Sequence, residues 1–99
     1  MNNLNSLILE GDIDGFEMVN DVLDFDIIVH RSYKNNQGER VSEDDTFACF
    51  AYGELAERAY KEFKLGKQVR IVGRIHQIKS LVDEENSEVV VVCECISFD

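Results

Sequence analysis

Residues 51–75 read AYGELAERAYKEFKLGKQVRIVGRI. Two periods meet in this stretch. Leu55, Ala59 and Phe63 recur every four residues with Ala56 and Tyr60 beside them, which predicts a helix. Glu54 and Glu57 fall in its first turn and Lys61 and Lys64 in its last, as the helix dipole favours. Gly66 stands where a left-handed C-terminal cap belongs. From Val69 the period becomes two: Val69, Ile71, Gly73 and Ile75 alternate with Gln68, Arg70, Val72, Arg74 and His76, which predicts a strand.

Upstream, Leu4–Glu10 reads as a buried strand ending at Gly11. Leu23, Phe25, Ile27 and Val29 alternate with Asp24, Asp26, Ile28 and His30 in a second, half-buried strand. Residues 35–38 form a turn in which Gly38 supplies a positive φ, and Thr46–Tyr52 is a third strand. Downstream, 83–87 is a polar hairpin loop and Glu88–Phe98 a fifth strand. The order is β-β-β-α-β-β. An all-β chain with one short helix between strands three and four has the layout of the five-stranded OB-fold Greek-key barrel. A small sandwich or a swapped hairpin would share these signals, and the placement of the helix puts the barrel first. At 99 residues the chain is expected to form one domain, 1–99.

Net charge is −10, which on its own disfavours nucleic acid, but the charges are segregated. All ten Lys and Arg lie within 31–40 and 58–82; residues 1–30 and 83–99 have none. Folding that brings the two basic blocks together would make one locally positive face. No apolar run is long enough to span a bilayer, and the N-terminus has no charged n-region, so a cytoplasmic protein is expected.

The runs FDIIVHRSYK (25–34), AYGELAERAYKEFKLGKQVRIVGRI (51–75) and NSLILEG (5–11) together resemble the bacterial single-stranded DNA-binding proteins. The resemblance implies the OB-fold, a homo-oligomer (dimer or tetramer) paired partly through the first strand, and single-stranded DNA as partner without sequence preference. It also implies a place in DNA replication, repair and recombination, contacts with replication and repair proteins, and a nucleoid-associated location. Such binding needs cations that track the phosphates and aromatic faces that stack on bases. Tyr33 and Tyr52 match aromatic positions of that family. Arg31, Lys34, Arg74 and Lys79 are the first candidates for phosphate contact, followed by Arg70, His76 and Arg40. Strict alternation puts Tyr33 in phase with Phe25, so it faces the groove only if the strand bends or bulges near Arg31. Leu4, Ser6, Ile8 and Phe47 are expected at the subunit interface.

The sequence also departs from the family. Thr46 stands where an aromatic is common, and so does Ser80 or Leu81 after the fourth strand. The connection from Gly11 to Phe25 reads as short and acidic where a basic hairpin is usual. Family members continue into a flexible tail with an acidic, phenylalanine-containing tip. This sequence stops at Ser97-Phe98-Asp99, and those residues are not read as that tip. The departures keep a second reading open: an OB-fold paralogue serving as a protein-interaction module with weak or no DNA binding.

Catalysis is not expected. His30 and His76 are lone histidines without a paired nucleophile, and the carboxylates form no evident acid–base pair. Cys93-Glu94-Cys95 places both thiols on one strand face by alternation, too widely spaced for an easy disulfide and short of a zinc ligand set. Cys49, Cys93 and Cys95 are therefore expected as small hydrophobes of the core, with no metal and no cofactor.

Overall fold

The computed structural model describes residues 2–79 and 87–98, with the side chains of Lys79 and Ser87 outside the description. Five strands and one helix follow the expected order: β1 (Leu7–Val19), β2 (Val22–Lys34), β3 (Arg40–Tyr52), α1 (Gly53–Tyr60), β4 (Gln68–Lys79) and β5 (Ser87–Phe98). The strands close into a barrel in the order β1-β2-β3-β5-β4. All contacts between neighbouring strands are antiparallel except β3 with β5, which pair in parallel at Cys49↔Val91 and Phe50↔Val92 and close the cylinder.

Residues 12–24 are not the loop the sequence suggests. β1 runs through them to Val19, and only Asn20 and Asp21 turn the chain into β2, with Asn20 at φ 55°. A register shift between Ile13 and Gly15 hid the strand. Leu7, Leu9 and Ile13 pack in or against the core on odd positions, whereas Phe16 and Met18 do so on even ones, so no single period-two pattern spans the strand. The first half of β1 pairs with β4 from Leu7↔Gly73 to Asp12↔Gln68, and the second half pairs with β2 from Asp12↔Ile28 to Val19↔Val22.

Strands β2 and β3 are also longer than expected. They pair without a shift from Val22↔Tyr52 to Lys34↔Arg40. Among the described residues, β2 has no β1 partner past Asp12↔Ile28, and β3 pairs with β5 at Cys49 and Phe50. Residues 29–46 therefore leave the barrel as a two-stranded arm. Its tip is tied by Asn35, whose Oδ1 accepts from the backbone N–H of Gln37 and of Glu39, and Gly38 takes the expected positive φ.

The core is filled from inside by Ile13, Leu23, Phe25, Ile27, Val69, Ile71 and Val91, and one end is plugged by Phe63. Phe63 meets Phe25, Phe16 and Phe98 edge-to-face, with ring centroids 4.8, 5.5 and 5.6 Å away. The helix ends earlier than its period suggests, at Tyr60, so Arg58 is the base of its last turn and Lys61 and Lys64 lie beyond it. Gly66 has the expected positive φ but serves the following connection. Its N–H donates to Ile13 O at 2.7 Å, which draws the chain back to β1.

Candidate nucleic-acid interface

Strand parity sorts the candidate residues. On β3 the odd residues Cys49 and Ala51 are buried in the core, which leaves Thr46, Ala48, Phe50 and Tyr52 on the outer surface. The register extends this surface sideways. Phe50 lies opposite Asp24 of β2 and beside Val92 of β5, and Val92 lies opposite Arg74 of β4. Glu17 of β1 lies opposite Asp24. One row therefore crosses five strands as Glu17, Asp24, Phe50, Val92, Arg74. It is acidic at one end, apolar in the middle and basic at the other. Val90 and Val92 are buried yet lie on this outer surface rather than in the central cluster, Val92 in the row and Val90 beside it opposite His76.

Tyr52 stands at the end of this surface, 53% exposed. Its ring occupies the last β3 position before Gly53, where the chain enters α1 at φ 63° and the Gly53 N–H donates to Asp21 O at 2.9 Å. The turn thus fixes the backbone that presents the ring. His76 lies opposite Val90 on the same β4 face as Arg74, as alternation predicts. Arg70 shares that face but is engaged: its Nε donates to Glu10 Oε1 at 2.8 Å, and its Nη2 bonds the same oxygen. The backbone of Lys79 ends β4, and its side chain lies outside the described residues.

The arm carries the other candidates. No bulge lies near Arg31, because the β2–β3 register is unbroken. Tyr33 keeps the parity of Phe25 and is exposed because the arm outruns the barrel. Arg31 lies over its ring, 5.3 Å from the centroid. Its phenol donates to Glu43 Oε1 at 3.0 Å, and that bond, with the charge on Glu43, raises the phenol's pKa. Lys34 and Arg40 face each other directly on the opposite face of the arm. Like charges directly opposed on a ribbon repel, and an anion between them would relieve the repulsion.

Two features were missed by sequence reasoning. One is that the acidic residues read as part of a connection stand on paired strands, so that Asp14, Glu17, Asp24 and Asp26 form a wall along β1 and β2. Partial desolvation, followed by the charges of Asp24 and Asp14, raises the pKa of Asp26. The alternation in 23–30 contained the signal for Asp24 and Asp26, and the unrecognised strand after Gly11 concealed the rest. The other is Phe50, half-buried in the middle of the row.

The expected interface residues are placed apart. Leu4, Ser6 and Ile8 are exposed at and before the start of β1, where Ile8 lies opposite Val72 on the outer face. Phe47 has core parity, opposite Ile27, and sits at the barrel rim, 36% exposed. The cysteines require a correction. A register shift between Val72 and Gly73 absorbs Glu94, so Cys93 points into the core and Cys95 is exposed outside it, opposite Val72. Cys49 is buried, and the adjacent Cys93 thiol together with burial pushes its pKa far up.

Residues 6–99 match the single-strand binding protein family. A single-stranded DNA-binding protein of Aquifex aeolicus (strain VF5) is 38% identical over 58 residues, covering 59% of this chain and 40% of the relative, so the match spans less than half of that protein's length. Among solved structures, a Plasmodium falciparum SSB in complex with ssDNA superposes with a TM-score of 0.81 at 16% identity, covering 99% of this chain and 96% of that one. A small single-stranded DNA-binding protein from Streptomyces coelicolor superposes with a TM-score of 0.70 at 20% identity, covering 100% and 96%. These structural likenesses establish the barrel.

Proposed function

This chain belongs to the single-strand binding protein family, and from that premise we propose that it binds single-stranded DNA without sequence preference, as a binding protein and not an enzyme. The observation that carries the reading is the outer row of the barrel, where the exposed Tyr52 and half-buried Phe50 lie on the same surface as Arg74 and His76. Bases stack on Tyr52, while Arg74 and His76 hold phosphates on one side and the arm adds Lys34 and Arg40 on one of its faces and Arg31 on the other. Tyr33 is the second stacking ring, Lys79 is a further phosphate contact, and Arg70 is one only when it leaves Glu10. The acidic wall on β1 and β2 repels the backbone and confines the strand to the β3–β5–β4 side and the arm.

The working form is a homo-oligomer of this single 1–99 domain. Before Asp12, β1 pairs with β4 but not with β2, and Leu4 and Ile8 are 94% and 66% exposed. An open strand edge flanked by exposed apolar side chains suits pairing with a second copy. Among the described residues no helix is long and apolar enough to cross a membrane. The reading extends to a cytoplasmic, nucleoid-associated role in replication, repair and recombination, alongside proteins of those processes, which membership of the family supports.

Titration of oligo-dT against wild type and Tyr52→Ala tests the reading. Loss of one stacking ring is expected to cost about 1–3 kcal/mol of binding. Equal affinity for the two proteins contradicts it. Absence of binding by wild type at low salt favours the protein-interaction reading, which the acidic wall supports.

A further inference from the structure

His30 sits at the root of the arm, two residues past the last β1–β2 rung at Asp12↔Ile28. Its Nδ1 lies 2.7 Å from Asp44 Oδ1 on β3, and its Nε2 lies 3.1 Å from Asp12 Oδ2 on β1. An ionised carboxylate only accepts hydrogen bonds, so both ring nitrogens must donate. Only the imidazolium has two N–H groups. The geometry is thus complete with the charged ring and loses one bond with the neutral ring. From here on the arm is a two-stranded ribbon, a form of marginal stability without further support.

We propose, resting on the single-strand reading above, that His30 is the positioning residue of the arm: its imidazolium, bonded at once to Asp12 of β1 and Asp44 of β3, fixes against the barrel the ribbon that presents Arg31, Tyr33, Lys34 and Arg40 to the strand. Among the described residues, the charged groups that face the ring are Asp12 and Asp44. Its same-face neighbours on β2, Ile28 and Ser32, carry no charge, and β4 places the uncharged Gln68 opposite Asp12. Glu10, next along that face of β1, is engaged by Arg70. The hydrogen bonds to Asp44 and then Asp12 raise the pKa of His30 above its ordinary value. Arm placement and DNA affinity therefore weaken together as pH rises through that titration.

Oligo-dT affinity at fixed salt, measured from pH 6 to pH 9, tests the proposal in wild type, His30→Gln and Asp12→Ala. Wild type is expected to lose about fivefold across that range. His30→Gln is expected to lose less affinity than wild type across the same range, and because His76 is present in both proteins the difference between the two profiles belongs to His30; identical profiles overturn the proposal. Asp12→Ala separates positioning from direct phosphate contact. Removing an anion near a polyanion's path raises affinity by electrostatics alone, whereas loss of the clamp lowers it at pH 6. A flat wild-type profile, or a gain in Asp12→Ala, overturns the proposal. Amide exchange in free protein reads the clamp without DNA: at pH 6, Asp12→Ala should speed exchange in residues 31–42 relative to 23–27, and unchanged rates overturn the proposal even where no strand binds. Failure of wild type to bind oligo-dT is a distinct result that sinks the single-strand reading alone.

Discussion

The phenol of Tyr33 donates to Glu43 across β2 and β3 at 3.0 Å, so an aromatic presented by the arm is held by an anion while Arg31 covers its ring at 5.3 Å. A base that stacks there must displace Arg31 or pack on the opposite ring face, close to the Glu43 charge. Glu43→Ala frees the ring and removes the charge, and is expected to raise oligo-dT affinity about two- to fivefold at low salt. A drop in affinity would mean that Glu43 orients the ring for binding.

Asp26 ties pH to stability in the acidic wall. Partial desolvation, then Asp24 and Asp14, raise its folded-state pKa above 3.8. A group raised in this way contributes stability that is fully present below its unfolded pKa and is lost as pH rises through its folded value. Asp26→Asn should therefore be more stable than wild type at neutral pH, by less than about 1 kcal/mol at so solvated a site. The gain should vanish in acid. Urea midpoints at pH 7 and pH 3 check the sign, and destabilisation at pH 7 would contradict it.

The cysteines predict a labelling pattern. Cys49 and Cys93 are buried and Cys95 is exposed. The Cys93 contact and burial keep the Cys49 thiol un-ionised, and the thiolate is the reactive form. A thiol reagent should modify one cysteine in the native protein, Cys95, and three after unfolding, as mass spectrometry can count. Native labelling of Cys49 would contradict the barrel closure at Cys49↔Val91.

Phe63 should dominate the stability of the barrel end. It is 5% exposed and meets Phe16, Phe25 and Phe98 edge-to-face. Phe63→Ala is expected to cost about 3–5 kcal/mol in denaturant unfolding. A cost below about 1 kcal/mol would show that the plug packs loosely.

The sequence announced the fold wherever one period held. The alternation from Leu23 to Val29 and from Val69 to Gly73 put the right faces inward, and the four-residue recurrence of Leu55, Ala59 and Phe63 marked the helix and, just past its end, the buried plug. Legibility failed at the two register shifts, where an extra residue changes which parity faces the core. The shift near Asp14 turned half of β1 into an apparent loop, and the one at Glu94 sent Cys95 outward. The residue types of the candidate site were legible as separate candidates. Their grouping was not, because the row from Asp24 through Phe50 and Val92 to Arg74 depends on barrel order and the parallel β3–β5 contact. The pairing of Arg70 with Glu10 likewise joins residues 60 positions apart.

Phosphate tracking by this surface shows in the salt dependence of oligo-dT affinity. A single strand held by Arg31, Lys34, Arg40 and Arg74 should give a linear fall of log affinity with log salt, with a slope of about −0.7 per neutralised phosphate and so about −3 in all. A slope near zero, or no measurable binding at the lowest salt, would contradict a phosphate-tracking surface on this acidic chain.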